Sequence, residues 1–134
     1  MCGIIGINSN KPVSASIINS LKKLEYRGYD SAGIATLSKG LINEIKSEGR
    51  VDNLEKNSLV KNMEGTIGIG HVRWATHGAA NSLNAHPHSS QNVSDVHNGI
   101  IENSTILKKF LINKGHKFKS QTDTEVIVHL ITEH

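Results

Sequence analysis

Cysteine is nearly absent from this sequence, since Cys2 is the only one among 134 residues. A lone thiol forms no internal disulfide, so the reducing cytoplasm is the expected compartment. The sequence also lacks a charged-then-apolar leader before Cys2, and no apolar run approaches the roughly 20 residues that cross a bilayer. These absences predict a soluble protein with no membrane association.

A strong excess of charge is missing as well. The formal net charge is +3, and lysines and arginines are scattered among acidic residues rather than gathered into a block. Aromatic residues make up only 4% of the chain, so no basic patch with interleaved aromatics can form. Nucleic acid is therefore not an expected partner.

What the sequence does contain is a mixed succession of strand and helix patterns over one domain, residues 1–134. Strands are predicted at 2–8, where the isoleucines suggest a buried strand, in a hairpin of 32–38 and 41–47, and at 66–74. Helices are predicted at 14–26, 51–63 and 103–114, and from Thr122 onward. Because strands and helices do not alternate regularly, an α+β fold or a layered sandwich is expected.

Some of these predictions concern individual residues. Ile17, Ile18, Leu21 and Leu24 are expected to face the core from the first helix, and Val51, Leu54 and Met63 from the second. In the third helix, Ile106, Leu107, Phe110 and Leu111 form the predicted buried face, and Gly115 is expected just past its end. Thr122 and Glu125 have the spacing of a capping box. The last helical pattern has no stop signal, so truncation of a longer domain is expected.

The position of Cys2 admits two interpretations. A lone cysteine is usually a small buried hydrophobe. However, removal of Met1 would give Cys2 a free α-amine with a pKa near ~7.7–8.0, well placed to take a proton from a thiol of pKa ~8.5. One residue would then supply both nucleophile and base.

Five histidines between positions 71 and 97 suggest a metal, but their spacings match no common zinc pattern, so no metal site is expected. No P-loop or dinucleotide fingerprint is present, and no cofactor is predicted. Asn98-Gly99 is either an ordinary tight turn or a pair of donors for a developing oxyanion. Spacing alone does not separate these two.

Two charged residues have structural and functional interpretations. Arg73, followed by Trp74, either packs in the structure or offers a bidentate fork to a carboxylate. Asp123 is either a favourable charge near a helix start or a partner for an ammonium group. Taken together, the two suggest an amino acid as the substrate.

These segments match one family closely. The motifs MCGIIGI, LEYRGYDSAGIA, GIGHVRWATHG, NAHPH, VHNGIIEN and KSQTDTEVIVHL resemble, in order and spacing, the glutaminase domain of the glutamine–fructose-6-phosphate aminotransferase (glucosamine-6-phosphate synthase) family. These are class II glutamine amidotransferases of the N-terminal nucleophile hydrolase superfamily. EYRGYDSAG favours this family over other amidotransferases that begin with cysteine.

The resemblance implies a role for each matched residue. Cys2 would attack the side-chain carboxamide of glutamine, and Asn98 with the Gly99 N–H would form the oxyanion hole. Arg73 would bind the α-carboxylate of glutamine and Asp123 its α-amine. The resemblance further implies that Thr76 and His77 line the pocket, that Trp74 acts as a lid, and that Arg27 supports the nucleophile.

The resemblance also implies a four-layer αββα sandwich, incomplete in this chain. In the family, the released ammonia is used by sugar-phosphate isomerase domains, absent here, to convert fructose 6-phosphate to glucosamine 6-phosphate, and the resemblance is compatible with a homodimer as the complete enzyme. The chain departs from the family at Val72, where threonine is usual, at Ala80, where proline is usual nearby, and at Ser94-Asp95, within a normally apolar strand. A buried unpaired carboxylate is costly. The alternative to an active glutaminase is therefore a non-catalytic truncated or split-gene remnant that needs a complementary chain.

Overall fold

The computed structural model describes residues 1–134, and four antiparallel strands form its main sheet. The strands are β1 (Gly3–Asn8), β2 (Ser31–Ser38), β3 (Leu41–Glu48) and β4 (Ile67–Arg73), in the order β1-β4-β2-β3. The predicted strands are therefore confirmed. Because β1 lies at the sheet edge, only alternate residues are covered, and Ile4 is 42% exposed rather than buried as expected.

Three helices cover one face of this sheet: α1 (Ser14–Leu24), α2 (Val51–Lys56) and α3 (Ser58–Lys61). The main hydrophobic cluster lies between them and the sheet, and Ile17, Leu21 and Leu54 are fully buried there. The helix predicted at 14–26 ends at Leu24 and continues as a 3₁₀ turn, and Leu24 is only partly buried. The helix predicted at 51–63 is two helices, because the Asn57 side chain accepts a hydrogen bond from Leu59 N–H (3.0 Å) and starts a new one.

A second pair of layers covers the other face. A small sheet of β5 (His88–Ser90) and β6 (Val93–Asp95) packs against helix α5 (Glu125–Glu133), which in turn contacts α4 (Ser104–Asn113). The layers approach so closely that a Cβ on Gly33 of β2 would lie 2.0 Å from the carbonyl oxygen of His86. The order helices, sheet, sheet, helices is the predicted four-layer sandwich, with a second sheet of only two strands.

Helix α4 forms where expected, but most of its predicted buried face is open. Leu111 is fully buried, whereas Ile106 is 72% and Phe110 45% exposed. The helix lies in an outer layer with α5 as its main contact, so its apolar stripe is covered only in part. Gly115 follows the helix with φ +96°, which confirms it as the residue after the C-cap.

The predicted capping box of Thr122 and Glu125 is wrong. Glu125 is the first residue of α5, and its carboxylate accepts hydrogen bonds from the N–H groups of Lys119 (2.8 Å) and Ser120 (2.7 Å) instead. Burial raises the pKa of Glu125, but these bonds and the Ser120 hydroxyl outweigh it and leave the pKa below its ordinary value. The Thr122 hydroxyl contacts the Ser120 hydroxyl and His88 Nε2, both at 2.9 Å.

No helix in residues 1–134 combines the length and apolar character that a membrane span needs. Asp95, the unusual residue of β6, has a buried Oδ1 without a hydrogen-bond partner. Burial raises the pKa of this carboxyl to about 7.

Candidate active site

A cavity of about 180 Å³ lies between the end of the main sheet and the second pair of layers. It gathers almost every residue assigned to the site from the sequence; only Arg27 is outside its lining. The lining consists of Met1, Cys2, Arg73, Trp74, Thr76, His77, His86, His97, Asn98, Gly99, Ile100, Thr122, Asp123 and Thr124. The predicted residues thus come from four separate parts of the chain and meet at one place.

Cys2 reaches the cavity because β1 pairs with β4, which sets Gly3 opposite Val72 and Cys2 beside the end of β4. Its Sγ accepts a hydrogen bond from Trp74 N–H at 3.3 Å and lies 3.7 Å from the Trp74 carbonyl oxygen. The half-buried thiol forms no disulfide and lines the cavity. Met1 is 76% exposed and contributes to the same lining.

The Cys2 carbonyl oxygen is held from two sides. Arg27 Nε–H donates to it at 3.0 Å, and Asn98 Nδ2 donates to it at 3.4 Å. Arg27 therefore lies behind the nucleophile rather than in the cavity. Asn98 connects the segment that follows β6 to the start of β1, so that its amide lies next to Cys2.

The turn that contains Arg27 packs directly on the end of β4. A Cβ on Gly28 would lie 2.5 Å from the backbone carbon and oxygen of Arg73, so only glycine allows this approach. Two residues on, Asp30 N–H donates to the Arg73 carbonyl oxygen at 3.2 Å. The Asp30 carboxylate accepts from Ala75 N–H and from the Ser31 hydroxyl, and lies 3.7 Å from Arg73 Nη1.

Asp30 is a residue of the site that the sequence analysis did not assign. It lies in the EYRGYD segment, two residues after Gly28. A carboxylate so close to a glycine turn is the only feature of the sequence that indicates a role for it. The carboxylate fixes the backbone just after Trp74 and balances the charge of Arg73.

The Arg73 guanidinium organises the loop that follows β4. Its side chain is 4% exposed, and it donates to the carbonyl oxygens of Ala79 (2.9 Å), Gly78 (3.3 Å) and His77. The loop is therefore wrapped around the arginine. Thr76 and His77 are held at the rim of the cavity as exposed residues, with the Thr76 hydroxyl 3.4 Å from His77 Nδ1.

Trp74 forms an exposed wall of the cavity. The residue is 50% exposed, and its ring meets Tyr29 edge-on, with centroids 5.9 Å apart at 83°. The indole is thus supported by Tyr29 of the EYRGYD turn, and Trp74 also contributes to the cavity lining.

Two buried histidines hold the segment that carries Asn98 and Gly99. His71 Nε2 donates to the His97 carbonyl oxygen at 3.2 Å, and His97 N–H donates to His86 Nδ1 at 3.3 Å. The two rings stack with centroids 4.1 Å apart. Burial lowers the pKa of His71 to about 4 and that of His86 further still, so both rings are neutral at physiological pH.

Asp123 closes the cavity from the α5 side. The residue is 8% exposed, and its Oδ2 accepts a hydrogen bond from Ile101 N–H at 2.6 Å. This contact ties the start of α5 to the chain just beyond Gly99. The other carboxylate oxygen, Oδ1, makes no hydrogen bond to the protein, and Asp123 lines the cavity.

The histidines between 71 and 97 serve as hydrogen-bonding and packing groups. The ring of His88 lies 4.7 Å from that of His86 at 58°, and the pKa of His88 is lowered to about 3 by burial and by the nearby charge of Lys46. No group of three or more His, Cys, Asp or Glu side chains in residues 1–134 converges on a point that could hold a metal ion.

A thiol at the start of an edge strand, facing a cavity in a four-layer αββα sandwich, defines the class of N-terminal nucleophile amidotransferases. Solved structures support this class. The chain superposes over 100% of its length on 30% of the B. subtilis glutamine phosphoribosylpyrophosphate amidotransferase complexed with ADP and GMP, with a TM-score of 0.83 and 30% identity. An allosteric regulatory enzyme of purine biosynthesis gives a TM-score of 0.84 and 32% identity.

The chain belongs to the glutamine amidotransferase domain family, whose model matches residues 55–134. Among its relatives are proteins named glutamine–fructose-6-phosphate aminotransferase [isomerizing]. The protein from Mesorhizobium japonicum is 53% identical over 131 residues, which is 98% of this chain, and that from Bartonella quintana is 54% identical over 132 residues. The family resemblance predicted from the motifs is confirmed. The chain spans about 22% of the length of these relatives.

Proposed function

We propose that this chain hydrolyses the side-chain amide of glutamine, with Cys2 as the nucleophile after removal of Met1. The observation that supports the proposal is one shared cavity, whose lining contains Cys2, Asn98, Gly99, Arg73 and Asp123. In this reaction the Cys2 α-amine takes the thiol proton, and Sγ attacks the amide carbon. The α-ammonium group returns the proton to the amide nitrogen as the C–N bond breaks, the nitrogen leaves as ammonia, and water hydrolyses the thioester to glutamate and the free thiol.

Asn98 Nδ2 and Gly99 N–H are the proposed oxyanion donors. Asn98 already reaches the Cys2 backbone, so a negative oxygen next to Sγ falls within the range of its amide. The buried histidines behind His97 support this proposal because they fix the backbone that leads into both donors.

Arg73 and Asp123 are the proposed contacts of the substrate's α-carboxylate and α-amine. Both residues line the cavity, and their charges match a zwitterionic amino acid. The loop carbonyls take part of the hydrogen-bonding capacity of Arg73, and its remaining N–H groups would hold the carboxylate. Thr76 and His77 line the pocket, Trp74 covers it, and Arg27 supports Cys2 through its carbonyl oxygen.

The proposed destination of the ammonia is a sugar-phosphate isomerase domain that aminates fructose 6-phosphate. This proposal rests on the relatives, whose printed name is that of such an aminotransferase and of which this chain matches about a fifth. A homodimeric complete enzyme and a reducing cytoplasmic location, in which the thiol stays free, complete the proposal.

The test measures ammonia and glutamate release from glutamine by purified chain whose loss of Met1 is verified by mass spectrometry. Turnover is expected from the processed chain and is expected to fall to background in Cys2→Ala. A diazoketone analogue of glutamine is expected to label Cys2 once per chain. Arg73→Lys and Asp123→Asn are expected to raise KM at least tenfold, whereas Arg50→Lys, a matched change of an exposed arginine, leaves KM unchanged.

A folded, processed chain that neither releases ammonia nor is labelled at Cys2 would overturn the proposal. That outcome would favour the alternative of a non-catalytic remnant. The buried, unpartnered Asp95 Oδ1 is the structural feature consistent with that alternative. Circular dichroism and denaturant unfolding of the same preparation separate loss of chemistry from loss of fold.

A further inference from the structure

A second cavity lies apart from the Cys2 cavity, where the segment after α4 meets α5 and the turn between β5 and β6. Its volume is about 470 Å³, within the roughly 300–1,000 Å³ that is usual for small-molecule sites. No hydrophobic residue lines it, and it shares none of its lining residues with the Cys2 cavity. A ligand for this cavity is therefore hydrophilic and separate from the chemistry at Cys2.

Positive charge dominates the lining of this second cavity. Three lysines face a single carboxylate, that of Glu133, and they are Lys114, Lys117 and Lys119. The carboxylate is already engaged on both oxygens, because Oε1 lies 3.7 Å from Lys114 Nζ and Oε2 lies 2.9 Å from His116 Nε2. Lys117 and Lys119 form no ion pair. The lining thus contains two cations without a carboxylate partner.

Lys117 and Lys119 project from a segment that is anchored between them and beside them. Phe118 separates the two exposed lysines, and its ring packs on that of the buried His129, with centroids 4.3 Å apart at 45°. The Lys119 N–H donates to Glu125 Oε1 at 2.8 Å. The two ammonium groups are therefore carried by a fixed stretch of backbone at the cavity wall.

A pair of histidines in the same lining adds to the positive charge. His116 Nε2 donates to Glu133 Oε2, and His129 Nε2 donates to Glu125 Oε1 at 3.3 Å, because carboxylates only accept hydrogen bonds. The two Nδ1 atoms are 3.1 Å apart. A hydrogen bond at this distance requires a proton on one of them, which leaves the pair with one positive charge.

We propose that this cavity binds a phosphate dianion, either inorganic phosphate or the phosphate group of a small metabolite, with Lys117 and Lys119 as its direct contacts. An ammonium group binds phosphate as a compact point charge. The Ser90 hydroxyl and the Gln91 side-chain amide line the same cavity without a hydrogen bond to the protein, so both are free to donate to phosphate oxygens. The proposal does not depend on the hydrolysis of glutamine proposed above.

The test is a calorimetric titration of the full chain with inorganic phosphate and with glycerol 3-phosphate, at low ionic strength where exposed charges are least screened. One saturable site per chain is expected for both anions, and none for glycerol. Tighter binding of glycerol 3-phosphate would assign the site to a phosphorylated metabolite. Equal or tighter binding of inorganic phosphate would assign it to phosphate itself.

Charge variants test the contacts. Lys117→Gln and Lys119→Gln are each expected to weaken binding about threefold, and the double variant about tenfold. Glu133→Gln removes the opposing charge and is expected to tighten binding about twofold. Lys109→Gln removes an exposed lysine of α4 that lies outside the lining, so it is the matched control and leaves affinity unchanged.

A direct readout is the set of backbone amide resonances that phosphate shifts, which is expected to centre on residues 89–91 and 114–119. Absence of saturable binding, or wild-type affinity in the double lysine variant, would overturn the proposal. Equal weakening by Lys109→Gln and Lys117→Gln would also overturn it, since the attraction would then be diffuse. Cys2→Ala is expected to bind phosphate like the wild-type chain, so failure of the glutaminase proposal leaves this test intact. Circular dichroism of the lysine variants shows that lost binding is not lost fold.

Discussion

At the residue scale, Asp95 is the side chain whose environment suits it least. Its carboxyl lies in β6, with one oxygen buried and without a partner, and burial raises its pKa to about 7 from 3.8. Between those two values the folded chain binds a proton that the unfolded chain has released. The folded state therefore loses stability as pH rises from about 4 to about 7.

Asp95→Asn is expected to stabilise the chain at pH 8 by about 2–4 kcal/mol, since one pKa unit corresponds to ~1.4 kcal/mol. The gain is expected to shrink below about 1 kcal/mol at pH 4, because the folded carboxyl is protonated there and the pH is close to the unfolded pKa of 3.8. Urea unfolding at pH 8 and at pH 4 measures the difference in unfolding free energy between the variant and the wild-type chain. Asp52→Asn, the same change at an exposed aspartate, is the control, and an equal gain at the two pH values would contradict the explanation.

The same scale shows which site residues the sequence could reveal. Cys2, Asn98 and Arg73 carry chemistry that stands out by residue type and position, and one cavity contains them all. Asp30 escaped assignment because its partners, Arg73 and Ala75, are more than forty positions away, and no local pattern indicates a strand-end contact of that kind.

At the element scale, the segment bearing Asn98 and Gly99 has no regular secondary structure of its own and depends on β4 for its position. His71 projects from β4 and donates to the His97 carbonyl oxygen, while His86 accepts from the His97 N–H. Both backbone groups of one residue are thus fixed by two stacked rings. The oxyanion donors proposed above follow directly after this anchor.

His71→Phe keeps the size and stacking of the ring and removes the donor. It is expected to lower kcat for glutamine at least tenfold with little change in KM, because the donor segment loses its anchor while Arg73 and Asp123 remain. The loss of stability between pH 7 and pH 4.5 is expected to be about 2–3 kcal/mol smaller in the variant, since the pKa of His71 lies near 4 when folded and near 6.5 when unfolded.

The pH effect has a definite sign. A histidine with a lowered pKa stabilises the folded state above about pH 6.5 and loses that contribution as pH falls through 4. Urea unfolding at pH 7 and pH 4.5 measures the difference. His77→Phe, at an exposed histidine, is the control. Wild-type pH dependence in His71→Phe, with unchanged kcat, would show that His71 does not anchor this segment.

Elements themselves differ in how well local sequence specifies them. Apolar spacing predicts four elements correctly, namely strands β2 and β3 and helices α1 and α5. In these elements the residues that form the apolar pattern are largely the ones that are buried or partly buried. The second helix divides at Asn57, where a side-chain cap competes with continuation of the helix. The buried face of α4 is predicted wrongly. Periodicity shows which side of a helix is apolar, but it does not show whether other elements cover that side.

At the scale of the whole molecule, the two pairs of layers are stabilised differently. All eleven members of the main apolar cluster come from residues 13–72, between α1–α3 and the main sheet. Beyond residue 85 the only buried apolar side chains are Leu111, Val126 and Val128, and buried polar groups such as Ser120, Thr122 and Glu125 fill the space around them. The second pair of layers therefore depends largely on hydrogen bonds and has less apolar burial to oppose local opening.

The proposed site contains residues from both the apolar and the polar pair of layers. Cys2 and Arg73 belong to the well-packed layers, whereas Asn98 and Asp123 belong to the polar ones. Opening of α4 and α5 alone would leave the nucleophile in place and displace Asp123, the proposed contact of the α-amine, which lies just before α5. Activity is thus expected to depend on the weaker half of the fold.

Native-state hydrogen exchange in low urea is expected to show α4 and α5 amides opening before those of β2 and β4. Glutaminase activity should disappear at the urea concentration of this first step.

Leu111→Ala removes the one fully buried side chain of α4 and is expected to lower the opening free energy of the second pair of layers by about 2–4 kcal/mol. It should leave exchange of β4 unchanged, while Leu21→Ala in α1 should accelerate exchange throughout. A single cooperative step in all amides, with Leu111→Ala and Leu21→Ala acting alike, would contradict the division. The layers would then share one stability despite their different interiors.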